Sequence, residues 1–398
     1  MKRKLLFIMP SLDSGGGEKS LINLLTTLDF NQYEVEIRLF AKRGLFLDLV
    51  PNEVKVTEIS GDYQHFSKGI LSSILYFMSR LKIALALHRI SFFIKNSLIK
   101  NKAIAEQQTW KNKAVAIPKV KEEYDTAIAF IEKSSIYYLI DKVNAKQKIG
   151  WIHTNYSSSG LNADFDRNYF SQLDYLVTVS PECQQSLNVN FPEIQPKIKV
   201  VHNIVSAKTV QQLASENIQD AKFQPNDFTI VTVGRLSTEK GIDTAVEACK
   251  ILVQSNKEVR WYVIGEGNER AKLQQLIVDY QLQNHFFLLG LRANPYPYVK
   301  QAKVYVQPSR YEGKSIAIDE AKILAKPIVV TNFTTAKDQI NHSVNGIISG
   351  NDATQLANDI LLVLNDKNLQ NNLSLHLTQE IHDNSTEEIT QFYSMLNA

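Results

Sequence analysis

The chain has 398 residues, of which 44% are hydrophobic and 21% are charged, and its formal net charge is +3. This length predicts two globular domains rather than one core, and the small net charge gives no basis for a nucleic-acid-binding function. The two cysteines, Cys183 and Cys249, form no CxxC or CxxH pattern, which argues against a disulfide framework or a zinc site and favours a reducing cytosol.

The N-terminus, MKRKLLFIMP, joins early charges to an apolar run of six residues, and a glycine-rich loop follows. A signal peptide needs a longer apolar region, so this run predicts a first buried strand. Because a stretch of about 18 uncharged apolar residues occurs nowhere, the sequence predicts no transmembrane helix.

In the first half of the chain, strand-like runs alternate with helix-like runs. Leucines at helical spacing between Glu18 and Leu28 predict a helix, and Pro181 suits the first position of another. The predicted strands cover residues 4–10, 34–40, 54–59, 125–131, 148–153, 174–179 and 197–201. This alternation predicts a parallel sheet with helices on both faces.

A polar stretch, residues 205–227, interrupts the pattern, and a second alternating series follows it. The predicted strands of this series cover residues 228–234, 260–265, 286–290, 303–309 and 327–331, and its predicted helices cover 241–254, 269–280 and 314–325. The expected fold class is α/β, with two Rossmann-like doubly wound domains that face a central cleft. The first domain is predicted to span residues 1–204, rejoined by a C-terminal helix at 385–398, and the second to span 205–384.

Doubly wound sheets bind ligands at the carboxyl ends of their strands, and this sequence places glycines and charged residues there. The candidates are Gly15, Gly16, Gly17 and His153 in the first domain, and Gly234, Arg235, Lys240, Gly265, Gly267, Gly290 and Glu312 in the second. In the loop SGGGEKS (14–20), the glycines let the backbone approach an anion or a sugar, and the helix that follows offers N–H groups. Glu18 stands where a Walker loop needs a glycine, and a plain tight turn is the alternative.

The stretch GRLSTEKG (234–241) lies between a predicted strand and a predicted helix. Arg235 and Lys240 would lie near the N-terminus of that helix, where both cations and the helix dipole favour an anionic ligand such as a diphosphate. The alternative is a pair of solvated surface cations.

Glu312 and Glu320 bracket the stretch EGKSIAIDE. On a helix they would stand roughly 12 Å apart along the axis, too far for a glycoside-cleaving pair at about 5–9.5 Å. This separation suits the two ends of a nucleotide diphosphosugar. Glu320 would then take the ribose hydroxyls, Glu312 the hexose hydroxyls, and the N–H groups of Gly313, Lys314 and Ser315 a phosphate. In the alternative, Glu320 is a solvated helix-surface acid.

Residues 61–120 hold ten lysines and arginines but only two acids, Asp62 and Glu106. Within this block, the segment 69–98 has apolar residues at helical spacing, namely Ile70, Ile74, Phe77, Met78, Leu81 and Leu85. The pattern fits an amphipathic helix on an anionic membrane surface, and it equally fits a helix packed on the sheet with its charged side in water.

Together these motifs resemble the retaining GT-B glycosyltransferases of family 4, and the resemblance covers nearly the whole chain. It is carried by Glu312 and Glu320 with seven residues between them, GRLSTEKG, GEG (265–267), the GGGE loop and VVHN (200–203). The resemblance implies a nucleotide-sugar donor held mainly by the second domain and an acceptor held by the first. It also implies retention at the anomeric carbon, with no required metal or other cofactor.

The resemblance assigns roles to individual residues. The implied catalytic residues are Glu312, Arg235, Lys240 and His153. The implied donor-binding residues are Gly16, Gly17, Gly234, Gly265, Leu291, Gly313, Lys314, Ser315 and Glu320. Relatives place a histidine at the end of a first-domain strand against the donor sugar, and His153 in WIHTN matches that position, although a satisfied core histidine is an equal alternative.

Two features need separate interpretation. Lys314 stands where relatives often carry an apolar or aromatic residue, and it would contact the donor diphosphate or a charged sugar. The stretch DFD (164–166) resembles the metal-binding Asp-x-Asp of the other glycosyltransferase fold, but it lies in a polar loop and is interpreted as a helix cap and turn.

The expected function is that of a retaining, metal-independent hexosyltransferase. It would move a hexose or N-acetylhexosamine from a nucleotide diphosphate sugar, with a UDP-sugar as the expected donor, to a hydroxyl of a growing cell-surface glycan that is lipid-linked or polymeric. The expected location is the cytoplasm, at the inner face of the cell membrane. Two alternatives are a non-catalytic partner subunit that stabilises an active glycosyltransferase or its substrate, and a sugar-nucleotide epimerase.

Overall fold

A computed structural model describes residues 2–13, 15–255, 258–380 and 385–397. The chain divides into two compact units. Unit 1 comprises Met1–Asp13, Gly17–His202 and Gln391–Ala398, and unit 2 comprises Ser14–Gly16 and Asn203–Thr390.

Unit 1 is built on a seven-stranded parallel sheet with the order β3-β2-β1-β4-β5-β6-β7. Its strands are β1 (Arg3–Met9), β2 (Tyr33–Leu39), β3 (Lys55–Glu58), β4 (Glu123–Ala129), β5 (Asn144–Ile152), β6 (Tyr175–Thr178) and β7 (Ile198–Val200). The central strand β1 is fully buried from Leu5 to Met9, because helices cover both faces of a parallel sheet.

The helices of unit 1 connect these strands and add a helical segment between β3 and β4. They are α1 (Gly16–Thr27), α2 (Asp62–Phe66), α3 (Ile70–Ser79), α4 (Ile83–Leu98), α5 (Lys102–Ala114), α6 (Ser134–Lys142), α7 (Ala163–Phe170) and α8 (Pro181–Asn190). Helix α8 begins at Pro181, and the Ser180 side chain caps it by accepting from the backbone N–H of Cys183.

Unit 2 repeats the arrangement with a six-stranded parallel sheet in the order β10-β9-β8-β11-β12-β13. Its strands are β8 (Thr229–Val233), β9 (Arg260–Ile264), β10 (Phe286–Gly290), β11 (Val304–Gln307), β12 (Ile328–Thr331) and β13 (Ile347–Ser349). Its helices are α9 (Ala207–Leu213), α10 (Ile242–Ser255), α11 (Arg270–Asp279), α12 (Tyr296–Gln301), α13 (Ile316–Ile323), α14 (Ala336–Gln339), α15 (Ala353–Asn365) and α16 (Lys367–Gln379).

The last helix, α17 (Ser385–Leu396), contributes its C-terminal part to unit 1. Phe392 is fully buried and stacks on Phe7 of β1 and against Trp151 of β5, with ring centroids 6.4 and 6.1 Å apart. The hydroxyl of Tyr393 accepts a hydrogen bond from the backbone N–H of Asp29 at 2.8 Å. The end of the chain therefore completes the core of unit 1.

The two doubly wound parallel sheets confirm the predicted fold class, and each strand predicted from an apolar run is present. Several elements differ from the sequence-based predictions. The polar stretch after residue 205 contains a helix, α9, and the short strand β13 was not predicted. The predicted helix 314–325 is shorter, because the chain stays irregular until Ile316.

The segment 69–98 forms two helices, α3 and α4, instead of one. They are separated at Leu81, whose φ of 56° lies in the left-handed region and ends α3. The stretch DFD also differs from its prediction, because it lies inside α7 and Asn162 is the capping residue. Asp166 is buried and accepts hydrogen bonds from the hydroxyls of Tyr137 and Tyr156 at 2.6 and 2.7 Å.

We expect Phe392→Ala to lower the free energy of unfolding by about 3–5 kcal/mol, because it removes a buried ring from the core of unit 1. Urea denaturation followed by circular dichroism measures the change. Phe93→Ala is the matched control, since this ring is half-exposed on α4. Equal stability losses in the two variants would contradict the assignment of Phe392 to the core.

Candidate functional site

The topological switch point of the second sheet lies between β8 and β11. These strands are neighbours, but the strands that follow them in sequence, β9 and β12, lie on opposite sides. The loops after β8 and β11 therefore leave the sheet side by side at its carboxyl edge, where open α/β sheets bind ligands. The first loop contains residues 234–241, and the second contains residues 308–315.

Close backbone packing holds these two loops together. Gly241 has a φ of +61°, and a Cβ atom there would lie 2.0 Å from the carbonyl oxygen of Pro308. The Arg310 guanidinium makes a bidentate pair of hydrogen bonds, each 2.9 Å long, with the Asp243 carboxylate. It also donates to the Thr238 carbonyl at 2.6 Å. A side chain at Gly241 would separate the loops, so this glycine is required for the geometry of the site.

The two loops bring Lys240 and Glu312 into contact. Lys240 Nζ lies 2.6 Å from Glu312 Oε1, and the two side chains are only 17% and 10% exposed. The same oxygen accepts from Ser309 Oγ at 2.7 Å and from Gln307 Nε2 at 3.2 Å. Charge-assisted hydrogen bonds of this length are among the stronger polar contacts in proteins, so the carboxylate is fixed in one orientation.

The ion pair retains hydrogen-bonding capacity for a ligand. Within the described part of the chain, Oε2 of Glu312 accepts no hydrogen bond, and the ammonium group of Lys240 donates only to Glu312. A carboxylate oxygen accepts hydroxyl protons, and an ammonium has three donors. The site can therefore bind a polyhydroxyl group and an anion next to each other.

The predicted glycines lie around this pair. A Cβ atom on Gly234 would lie 3.6 Å from the Lys240 side chain, and one on Gly265 would lie 1.9 Å from the Gly234 carbonyl oxygen. The Gly265 N–H donates to Gly290 O at 3.0 Å. The carboxyl ends of β8, β9 and β10 thus approach one another more closely than side chains would permit. Leu291 follows Gly290 in the chain, and its side chain is exposed.

Arg235 and Lys314 are near the pair in sequence but are bound more loosely. The Arg235 guanidinium is 55% exposed, and its 3.4 Å contact with Glu239 is a weak surface ion pair. Lys314 is mostly buried, and its ammonium lies 3.8 Å from Asp319. The Arg235 side chain can therefore reorient toward an anion at modest cost.

One part of the prediction for the stretch 312–320 needs correction. Because Glu312 lies in the irregular loop before α13, a separation from Glu320 based on helical rise does not apply. The backbone N–H of Ser315 donates to Gln339 Oε1 at 2.8 Å, and Gln339 Nε2 returns a bond to the Ser315 carbonyl. Ser315 is therefore not the open phosphate-binding N–H that the sequence predicted.

Glu320 is buried on α13, which excludes the alternative of a solvated helix-surface acid. It is 3% exposed, and its Oε1 accepts from the hydroxyl of Tyr296 at 2.8 Å. Burial and the nearby carboxylate raise the pKa of the Tyr296 hydroxyl above its ordinary value, so this phenol stays a hydrogen-bond donor.

In unit 1, His153 follows β5 and packs against aromatic rings. Its ring lies 5.2 Å from that of Phe130 and is nearly parallel to that of Trp151 at 6.2 Å. Nε2 is buried and has no hydrogen-bond partner among the described residues. Burial lowers the pKa of the imidazole from 6.5 to about 4, although a hydrogen bond to the Phe130 backbone partly opposes this shift. The ring is therefore neutral at physiological pH.

Of the three consecutive glycines, Gly17 is the one that belongs to unit 1. A Cβ atom there would lie 3.7 Å from the ring of His153 and 3.5 Å from Ile131, so the first turn of α1 lies beside the imidazole. Around Gly16 the space is open, with nothing within 4 Å of an added Cβ.

Among the described residues, no group of three or more histidine, cysteine, aspartate or glutamate side chains is arranged to hold a metal ion. Sequence reasoning missed four residues that shape the unit 2 site, namely Gln307, Ser309, Arg310 and Tyr296. The first three form the polar sequence QPSR at the end of an apolar strand. A polar run at a strand's carboxyl end is a usable signal, whereas nothing in the sequence connects Tyr296 with Glu320.

The depressed pKa of His153 predicts a pH-dependent stability. The unfolded chain binds a proton at this residue near pH 6.5, but the folded chain does so only near pH 4. Stability is therefore lost as the pH falls from 6.5 toward 4. Between pH 7.5 and 5, we expect the wild type to lose about 2 kcal/mol more free energy of unfolding than His153→Gln. Urea titrations at both pH values test this, and equal losses would contradict a buried neutral imidazole.

Part of unit 2 matches a known protein family. Residues 214–376, all within unit 2, match the family model of glycosyl transferases group 1. An uncharacterized glycosyltransferase of Methanocaldococcus jannaschii is 26% identical over 174 residues, which is 43% of each chain. The poly(ribitol-phosphate) alpha-N-acetylglucosaminyltransferase of Staphylococcus aureus is 28% identical over 136 residues, covering 34% of this chain and 28% of that protein. The aligned region thus spans well under half the length of these curated relatives.

Solved structures extend the similarity to the whole fold. TarM of S. aureus, crystallised as a variant with fondaparinux, alpha-GlcNAc-glycerol and UDP, superposes with a TM-score of 0.70 at 16% identity over 99% of both chains. HepE of Anabaena, crystallised with UDP-glucose, superposes with a TM-score of 0.67 at 18% identity over 98% of this chain and 99% of its own. The chain therefore has the GT-B fold, and its residues 214–376 match the family model of glycosyl transferases group 1.

Proposed function

We propose that this protein is a retaining glycosyltransferase that moves a hexose or N-acetylhexosamine from a nucleotide diphosphate sugar to a glycan hydroxyl. The main observation behind the proposal is the Lys240–Glu312 pair at the switch point of unit 2. The Lys240 ammonium still has N–H donors for a ligand, and Oε2 of Glu312 can still accept a hydrogen bond. An anionic diphosphate joined to a polyhydroxyl sugar presents both complementary groups within one molecule.

In this proposal, Lys240 and Arg235 stabilise the negative charge on the departing diphosphate. This role is electrostatic, and a positioned cation in a partly dehydrated site serves it better than one in water. Oε2 of Glu312 accepts from a hydroxyl of the transferred sugar, Glu320 binds the ribose hydroxyls, and Lys314 contributes a further positive charge beside the diphosphate.

The acceptor hydroxyl would attack the anomeric carbon from the face that the diphosphate leaves, which retains the configuration. The bond to the acceptor oxygen forms, the bond to the diphosphate oxygen breaks, and the hydroxyl proton passes to the leaving diphosphate. His153 is neutral, so it would act as a hydrogen-bond partner of a sugar hydroxyl and not as a positive charge. The proposed reaction needs no metal, and transfer should persist in excess EDTA.

For the donor we propose a UDP-sugar, and for the acceptor a lipid-linked or polymeric cell-envelope glycan at the cytoplasmic face of the membrane. Similar proteins have been crystallised with UDP and with UDP-glucose. Names of the relatives include a capsular polysaccharide glycosyltransferase of S. aureus, 25% identical over 42% of this chain. These names support the choice of substrates to be tested first.

A non-catalytic partner subunit is the second candidate function. Such a protein has no need of an intact site, whereas this chain keeps Lys240, Arg235 and Glu312. Donor hydrolysis by the purified chain would separate the two candidates. An epimerase, the third candidate, would release an altered or free sugar without any acceptor.

We expect Lys240→Ala and Glu312→Gln each to lower the rate of transfer by a factor on the order of 10²–10³, because each removes charge placed at the reacting group. Steady-state rates with the donor measure this effect. Lys303→Ala and Asp227→Asn are matched controls, since they disrupt an exposed lysine–carboxylate ion pair at the amino ends of β11 and β8, away from the carboxyl edge of the sheet. Near-normal rates in the first two variants would reject the assignment.

The donor base can be identified by thermal shift. A ligand that binds only the folded state at 100 times its Kd stabilises that state by about 2.7 kcal/mol. We expect UDP-sugars to raise the Tm more than GDP- or ADP-sugars, and we expect Lys240→Ala and Lys314→Ala to diminish the shift. A larger shift with another base would replace UDP in the proposal, and no shift with any base would contradict donor binding.

A further inference from the structure

Helices α3 and α4 expose an unusual amount of apolar surface. Nine large apolar side chains of residues 71–98 are between 47% and 85% exposed. Single exposed apolar residues are ordinary, but a contiguous set marks an interaction surface. We name this set, on residues 70–98, the α3–α4 surface.

Seven of the nine exposed residues form one stripe on each helix; the other two are Leu81 and Phe93. On α3 they are Leu71, Leu75 and Met78, at positions i, i+4 and i+7. This spacing puts all three on one face. Ser73 and Phe77 are buried on the other side, where Ser73 Oγ donates to the His65 carbonyl at 2.6 Å.

Helix α4 repeats the pattern. Ile83, Leu87, Ile94 and Leu98 lie at positions i, i+4, i+11 and i+15 and share one exposed face. The opposite side of α4 buries Ala86 and Arg89, and the Arg89 guanidinium donates to the Lys68 carbonyl at 2.9 Å. Leu81, the most exposed of the nine residues, lies between the two stripes.

The core of unit 1 does not use these stripes. A separate small cluster, formed by Phe66, Phe77, Ala86 and Ala116, anchors the two helices through their inner faces. The outer apolar residues therefore do not contribute to this core, and their contact with water is a cost that a partner would remove.

The charges around the stripes are positive. Lys68, Arg80, Lys95 and Lys100 are exposed, and none of them forms an ion pair with a described residue. Only Asp62 and Glu106 are acidic between residues 61 and 120, and they pair with Lys82 and Lys133. An apolar stripe with a basic border is complementary to an anionic membrane surface, where acyl chains accept the apolar side chains and headgroups attract the cations.

We propose that the α3–α4 surface binds the interface of a bilayer that contains anionic lipids. Across the described chain, the helices fall short of the length or the apolar character needed to traverse a bilayer. The longest of them, α4, has 16 residues. The segment would therefore lie in the plane of the interface. A second copy of the chain fits this surface less well, because self-pairing would bring two basic borders together.

This inference adds a membrane partner to the proposed function, but the evidence for it comes only from the α3–α4 surface. Vesicle binding is measured on the full chain without sugar substrates, whereas the proposed function is tested by sugar transfer. A negative result in one assay therefore does not decide the other proposal.

The test is co-sedimentation of the full chain with vesicles of phosphatidylcholine alone and of phosphatidylcholine with phosphatidylglycerol. We expect binding to the anionic vesicles only, weakened by 0.5 M NaCl because salt screens the attraction. The variant Leu71→Gln/Leu75→Gln/Leu87→Gln should lower the partition coefficient at least tenfold. Its matched control, Val189→Gln/Leu362→Gln/Leu375→Gln, changes exposed apolar residues elsewhere and should bind like the wild type.

Charge is tested in the same assay. Each basic residue near an anionic surface contributes about a fivefold gain in binding, so Lys68→Gln/Lys95→Gln/Lys100→Gln should lower the partition coefficient by about 100-fold. The control Lys208→Gln/Lys337→Gln/Lys367→Gln removes exposed lysines of unit 2 and should have little effect. Equal behaviour of a test triple and its control would overturn the proposal.

A fluorescence reporter locates the contact. Leu87→Trp places an indole on the α4 stripe, and its emission should shift to the blue with anionic vesicles, whereas Leu362→Trp should not respond. A blue shift without vesicles that grows with protein concentration would instead identify a second copy as the occupant. No shift under any condition would overturn the proposal.

Discussion

The contact on which the unit 2 site depends is the ion pair of Lys240 and Glu312. Removing two charges from water is unfavourable unless hydrogen bonds compensate, and here three donors converge on one oxygen of Glu312. The positive φ of Gly241 and the Arg310 fork onto Asp243 serve this arrangement, since they hold the loops after β8 and β11 together. Without them the carboxylate and the ammonium would separate, and the second carboxylate oxygen would have no fixed direction in which to accept a hydrogen bond.

The same topology explains why charged residues collect where they do. In both sheets the first strand of the series and the fourth are neighbours, while their successors diverge to opposite sides. Because the crossover connections leave on opposite sides, the crevice between the two loops at that point is open to ligands. In unit 2 these loops supply Lys240 and Glu312. In unit 1 the glycine loop follows β1, and Gly17 contacts His153 at the end of β5. One topological rule therefore places a lysine–glutamate pair in one unit and, in the other, the imidazole of His153, a residue that lies among aromatic rings and whose backbone N–H donates to Glu132.

Sequence reasoning located the strands because buried parallel strands are continuous apolar runs, and it anticipated that Lys240 and Glu312 follow strands of one sheet, which are neighbours in the structure. It failed where tertiary contacts decide the structure. Nothing local shows that Gln339 occupies the Ser315 N–H, or that Tyr296 covers Glu320. The segment 69–98 contains no proline, and the break at Leu81 has no glycine to mark it. The predicted single stripe therefore mixed core residues such as Phe77 with exposed ones such as Met78.

Each of the three ligand sites that we propose contains a group that the described chain leaves unpartnered. In two sites it is a polar atom without a hydrogen bond, and in the third it is an exposed apolar surface. Oε2 of Glu312 has no donor, Nε2 of His153 has no partner, and the outer stripes of α3 and α4 have no apolar cover. Satisfaction elsewhere is mixed: Asp166 accepts from two tyrosine hydroxyls, whereas Trp151 Nε1 and Ser237 Oγ are buried without a partner in the described chain. An unsatisfied group lowers stability, so a missing partner alone does not identify a ligand site. What distinguishes Glu312 and His153 is their position at the carboxyl ends of strands, where doubly wound sheets bind ligands. Our proposals accordingly give a hydroxyl to the carboxylate, a neutral donor to the imidazole, and lipid to the apolar stripes.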